Sequence, residues 1–174
     1  METNLCVAGF GGQGVMTLGK FLADATCNST DKKVTFFPSY GAEQRGGTAN
    51  CFVVISADDI GAPLGDVMDD LIVMNGPSMN KFLHTLKPGG TLFINSSIVS
   101  GQIGRTDVKL VKAPVTELAL EMGSAKVLNV IMLGVYVGDN ARSLRLRAQV
   151  VAAVLGLLDV SGGLGHAKAF PVSG

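Results

Sequence analysis

Apolar residues in this chain fall into short unbroken runs, separated by stretches with a helical repeat. Leu5-Cys6-Val7-Ala8 is the first run and ends at Gly9, the signature of a buried strand followed by a turn. Beyond the glycines, Val15, Leu18, Leu22 and Ala25 recur at helical spacing and predict an amphipathic helix. Val34-Thr35-Phe36-Phe37, stopped by Pro38, predicts a second strand, and the β-branched stretch Asn50 to Ser56 a third. Leu71-Ile72-Val73-Met74 predicts a fourth. Asn75-Gly76-Pro77 then opens a helix with Pro near its first position. Phe82, Leu83 and Leu86 line that helix, and Lys87-Pro88-Gly89-Gly90 ends it. Thr91 to Asn95 and Val108 to Val111 predict the last two strands. Helices near Pro114–Met122, Val127–Val137 and Leu144–Leu158 complete the pattern.

Strands alternating with helices specify an α/β fold. The expectation is a single domain with a mostly parallel, Rossmann-like sheet flanked by helices on both faces. Continuous apolar strands suit a sheet buried on both sides. The domain is expected to span residues 1–160. Ser161-Gly162-Gly163-Leu164-Gly165 opens what reads as a flexible C-terminal arm, 161–174.

Composition narrows the function. Glycine supplies 23 of 174 residues, against roughly 7% in an average protein. Charged residues are 16%, hydrophobic residues 47%, and the formal net charge is zero. An unfolded charged tail is excluded. A nucleic-acid partner is not expected without a basic excess. Sparse charge predicts that some surface meets another protein. Cys6, Cys27 and Cys51 show no C-x-x-C spacing, and Cys6 and Cys51 fall in strands as small buried hydrophobes. The start lacks a basic leader, and no apolar run approaches ~18 residues. A cytoplasmic protein with no membrane partner is expected.

Gly9-Phe10-Gly11-Gly12-Gln13-Gly14 matches G-x-G-x-x-G between a strand and a helix. Glycine permits a sharp turn and close backbone approach. The helix start offers free N–H groups and a positive dipole end to an anion. An NAD site further needs an acidic residue about 20 positions on, after the second strand. Phe36-Phe37-Pro38-Ser39-Tyr40 supplies none, and Glu43 comes late. A phosphate-bearing ligand and tight packing or a subunit contact therefore both stand. Gln13 either adds a hydrogen bond to the same anion or is solvated.

Ser39-Tyr40-Gly41-Ala42-Glu43-Gln44-Arg45-Gly46-Gly47 mixes an aromatic, both charge signs and three glycines between two strands. Arg45 beside Gly46-Gly47 can offer a guanidinium fork and backbone N–H groups to an anion, or pair with Glu43 at the surface. Gly9-x-Gly11-Gly12-Gln13-Gly14-Val15 followed by Tyr40-Gly41-x-Glu43-x-Arg45-Gly46-Gly47 resembles the gamma subunit (catalytic domain III) of 2-oxoacid:ferredoxin oxidoreductases. Lys87-Pro88-Gly89-Gly90-Thr91 and Asn129-x-x-Met132-Leu133-Gly134 are also similar to it. The wording around Ser39 to Glu43 looks most like the 2-oxoglutarate or branched-chain type, with 2-oxoglutarate the first expectation.

The resemblance implies one subunit of a complex that converts a 2-oxoacid and coenzyme A to acyl-CoA and carbon dioxide, reducing ferredoxin. It implies alpha and beta partner chains, and a delta, ferredoxin-like chain in some complexes. Thiamine diphosphate, magnesium and iron–sulfur clusters would lie on those partners, with no catalytic residue here and no activity in isolation. The residues agree: neither Gly65-Asp66 nor Gly138-Asp139 continues as Gly-Asp-Gly, and three cysteines cannot hold a four-cysteine cluster. Gly9, Gly11, Gly12, Gln13 and Gly14 are the candidates for contact with a coenzyme A phosphate or a partner. Ser39, Tyr40, Glu43, Arg45, Gly46, Gly47 and Asn129 are expected at an interface. The isolated chain is a candidate homodimer. Two other functions stay open: a stand-alone nucleotide-binding oxidoreductase domain, and an assembly subunit without ligand.

The remaining polar groups read as ordinary surface. His84 and His166 have no triad partners, Asp66, Asp69 and Asp70 read as a solvated strand approach, and Arg142, Arg145 and Arg147 with Asp139 as a charged helix start. Met79, Met122 and Met132 read as core filler.

Overall fold

A computed structural model of the chain describes residues 2–40, 48–101 and 103–140. Within them the chain forms β1 (Glu2–Phe10), α1 (Val15–Ser29), β2 (Lys33–Tyr40), β3 (Thr48–Ser56), β4 (Met68–Val73) and α2 (Gly76–Phe82). A 3₁₀ turn (Leu83–Thr85) leads into β5 (Leu86–Asn95). Then come β6 (Lys109–Ala113), α3 (Val115–Glu121), a second 3₁₀ turn (Ala125–Val127) and α4 (Leu128–Asn140). The helix expected at 144–158, the arm at 161–174, His166 and the Arg142–Arg147 cluster lie outside the described residues.

The six strands make one sheet in the order β2-β3-β1-β4-β5-β6. β1, β4, β5 and β6 are parallel neighbours. β3 runs antiparallel to both β1 and β2, so β2 points the same way as β1. Five strands therefore run one way and β3 alone is reversed, which meets the mostly parallel expectation. The carboxyl ends of five strands share one edge of the sheet, and the chain's course reverses between β1 and β4. That reversal is where open α/β sheets hold their ligands.

Strand alternation divides the apolar residues between two faces. Leu5, Val7, Cys51, Val53, Ile72 and Phe93 face α1, α3 and α4, meeting Val15, Leu18, Leu22, Val115 and Met132. Cys6, Ala8, Leu71, Val73, Leu92 and Ile94 face the other way, toward Phe82 of α2 and Val99. Each large side chain buried this way contributes roughly 1.5–3 kcal/mol.

Two boundaries differ from the sequence reading. β2 passes through Pro38 rather than stopping there, because β2 is an edge strand and the missing N–H breaks no ladder. Lys87-Pro88-Gly89-Gly90 does not end a helix; it lies inside β5, whose first residue Leu86 pairs with Met68. The register shifts between Met68 and Asp70, and a Cβ at Gly90 would sit 2.7 Å from the Asp69 carbonyl, so glycine is required where the strands close up.

The acidic cluster is also less solvated than expected. Only Asp66 is exposed. Asp69 accepts a hydrogen bond from the Asn4 backbone N–H at 2.7 Å and pairs with Lys87. Asp70 is buried and accepts one from the Tyr136 hydroxyl at 3.1 Å. Burial raises the Asp70 pKa, and the Tyr136 hydrogen bond opposes this in part. Met132 is buried as core filler, but Met122 is largely exposed.

Candidate functional site

The strand β1 runs into a turn in which the Gln13 N–H donates to the Phe10 carbonyl at 3.2 Å. Gly12 holds the third turn position at φ 92°, which L side chains resist. Gly14 follows at φ 71° and caps α1. The glycines of this motif do different jobs. A Cβ on Gly9 would sit 2.7 Å from Gln13 Oε1 and 2.9 Å from the Met74 Cβ, so its absence lets the turn press on β4. A Cβ on Gly14 would sit 2.6 Å from Asn129 Nδ2. At Gly11 a Cβ would meet nothing within 4 Å among the described residues, and its φ lies outside the left-handed region. Packing among the described residues therefore accounts for Gly9 and Gly14 but gives no reason for glycine at Gly11.

The helix α1 starts at this edge with no side-chain cap and no acid in its first turn. Its leading N–H groups and positive dipole end suit an anion. Gln13 does not stand free beside them. Its Oε1 accepts from the Phe10 N–H at 2.7 Å and from Asn75 Nδ2 at 3.2 Å, and its Nε2 donates to the Met74 carbonyl at 3.3 Å. The solvated reading of Gln13 is thereby replaced: the amide ties the end of β1 to the end of β4. Asn75, fully buried, also accepts from the Ser78 N–H at 2.8 Å and so caps α2.

The second loop hangs from the neighbouring hairpin. Tyr40 pairs with Ala49 and Ser39 with Asn50, while Thr48 pairs with Phe10 at the root of the glycine turn. The roots of both loops thus occupy adjacent strands, about 4.8 Å apart. Lys81 of α2 reaches across to Thr48 Oγ1 at 3.2 Å. Ser39 is half-buried on the edge strand. Glu43, Arg45, Gly46, Gly47 and the Tyr40 side chain lie outside the described residues. Asn129, expected at an interface, is instead buried within the chain, because the first turn of α4 lies against Gly14. Its Oδ1 has no hydrogen-bond partner among the described residues. Sequence reading missed Asn75 and Lys81 as parts of this edge. Asn75 before Gly-Pro signalled a cap, but its bond to Gln13 depends on β1 and β4 being neighbours.

Neither an iron–sulfur cluster nor magnesium-bound thiamine diphosphate fits the residues described. Cys6 and Cys51 point to opposite faces of the sheet, and Cys27 sits on the exposed side of α1. Burial pushes the Cys51 thiol up to about 12 and raises Cys6 as well, so neither is a ready thiolate ligand. Among the described residues no group of three or more His, Cys, Asp or Glu side chains could hold a metal ion.

Residues 4–156 match the family described as pyruvate ferredoxin/flavodoxin oxidoreductase. The chain belongs to this family. It is 40% identical over 134 residues to the ketoisovalerate oxidoreductase subunit VorA of Methanothermobacter thermautotrophicus, covering 77% of this chain and 28% of that relative. It spans little more than a quarter of the ketoisovalerate relatives' length. It is 32% identical over 136 residues to the 2-oxoglutarate synthase subunit KorC of Methanocaldococcus jannaschii, covering 77% of this chain and 73% of that one. The fold is that of the gamma subunit of a keto/oxoacid ferredoxin oxidoreductase from Geobacter sulfurreducens, with a TM-score of 0.78 at 24% identity, over 90% of this chain and 85% of that one. It also matches part of the 2-oxoglutarate:ferredoxin oxidoreductase of Magnetococcus marinus, solved with 2-oxoglutarate, coenzyme A and succinyl-CoA bound. There the TM-score is 0.70 at 23% identity, over 99% of this chain and 33% of that one. The resemblance read from the glycine motifs is borne out at the level of the family and the fold.

Proposed function

We propose that the chain is the gamma-type subunit of a 2-oxoacid:ferredoxin oxidoreductase of the cytoplasm. Its partners would be alpha and beta chains, with thiamine diphosphate and the iron–sulfur clusters on them. The complex would oxidise a 2-oxoacid with coenzyme A and pass the electrons to ferredoxin. The observation carrying this chain's own part is Gly11, a glycine that neither packing among the described residues nor φ requires, at an uncapped helix start on the candidate ligand edge of the sheet. A backbone left bare there suits close approach by a phosphate of coenzyme A. The second loop, with Arg45, would complete the contact from the adjacent strand. The 40% identity to a ketoisovalerate subunit, against 32% to a 2-oxoglutarate one, favours a branched-chain 2-oxoacid over the 2-oxoglutarate first expected.

The test is made on the assembled complex. Gly11→Val and Arg45→Ala should each raise the KM for coenzyme A by about tenfold or more, with assembly intact. Unchanged KM in both variants would leave the chain an assembly subunit without ligand. A side-by-side assay of 2-oxoisovalerate, 2-oxoglutarate and pyruvate should give the highest kcat/KM with the first; a preference for either other acid would refute the branched-chain choice.

A further inference from the structure

We infer that Asn75 and Gln13 form a positioning clasp that holds the glycine turn in its binding shape. The inference rests on reading that turn as the coenzyme A contact. A turn built on Gly11 and Gly12 has no side chains of its own to hold it, and glycine carries the largest conformational entropy of any residue. The restraint comes from Gln13. Its Oε1 is shared by two donors, Phe10 N–H and Asn75 Nδ2, and its Nε2 is bonded to the Met74 carbonyl. Through these bonds the Gln13 amide acts on the turn itself. Asn75 supplies the far anchor. It is fully buried, its Oδ1 is committed to the Ser78 N–H at the start of α2, and its Nδ2 is the group that reaches Gln13. Lys81, later on α2, bonds Thr48, which pairs with Phe10 at the root of the same turn. The turn is thus held from both ends by one helix. A loop ordered in advance binds its ligand more tightly, because the ordering cost is met before binding.

Asn75→Ser separates the clasp from the helix cap: serine keeps an oxygen for Ser78 N–H but lacks the amide N–H₂ that reaches Gln13. In the purified whole complex, with coenzyme A as the varied substrate, Asn75→Ser should raise KM about tenfold while kcat changes by less than about twofold. Gln13→Ala, which also removes the bonds to Phe10 and Met74, should raise KM at least as much, and the double variant should be no worse than Gln13→Ala alone, because Asn75 acts on the turn through Gln13. An unchanged KM for Asn75→Ser, or additive effects in the double variant, would overturn the clasp. So would a fall in kcat that follows a fall in thermal midpoint with KM unmoved. Gly11→Val in the same assay keeps the two ideas apart. If it raises KM and Asn75→Ser does not, only the clasp fails; if it leaves KM unmoved, the coenzyme A reading fails and the clasp with it.

Discussion

Gly9, Gly11 and Gly14 are the same residue type within six positions, yet the structure asks different things of them. Gly9→Ala should cost about 1–3 kcal/mol through overpacking against Gln13 and Met74. Gly14→Ala should cost about 1–2 kcal/mol from its backbone conformation, and more if Asn129 cannot move. Gly11→Ala should change stability by no more than about 0.5 kcal/mol. Urea denaturation of the three variants checks this order; an equal loss in all three would contradict it. The cysteines can be ranked in the same way. Cys27 is exposed, whereas Cys6 and Cys51 are buried with raised thiol pKa values. Native alkylation at neutral pH followed by mass spectrometry should label Cys27 alone among the three; label on Cys51 without denaturant would show that the α1 face opens.

Among the elements, β4 and α4 share an unusual burden. The Asp70 carboxyl is buried between them with the Tyr136 hydroxyl on it, and burial lifts its pKa above the ordinary value of about 3.9. A raised folded pKa means the native chain holds this proton more tightly than the unfolded one. Stability from this group is therefore lost as pH rises from about 4 through the folded pKa. Asp70→Asn should remove that slope, so its thermal midpoint should gain on the native protein as pH rises through this window. A gap independent of pH, or one that widens toward acid, would contradict the assignment.

The same elements show what a sequence reader can and cannot see. Apolar runs placed all six strands; the four inner ones are apolar because both of their faces are buried, and the edge strands β2 and β6 carried shorter apolar runs. Pro38 and Pro88 misled the boundaries, since the effect of a proline depends on which ladder it would break, and strand order is not written locally. The glycine motif was legible as a turn before a helix. That Gln13 fastens to Met74 and Asn75, and that Asn129 lies on Gly14, depended on pairs 61, 62 and 115 positions apart.

At the scale of the whole molecule, the chain joins a candidate ligand edge, at the reversal between β1 and β4, to a sheet whose described residues offer no seat for a cluster or metal ion. None of the described helices is long and apolar enough to cross a membrane. The most direct test of the gamma-subunit assignment is to purify the tagged chain from its native host and assay what comes with it. Co-eluting chains that carry thiamine diphosphate and iron–sulfur clusters are expected. The eluate should also reduce ferredoxin only when a 2-oxoacid and coenzyme A are both supplied. A chain that elutes without such partners, or a complex whose activity needs no coenzyme A, would contradict it.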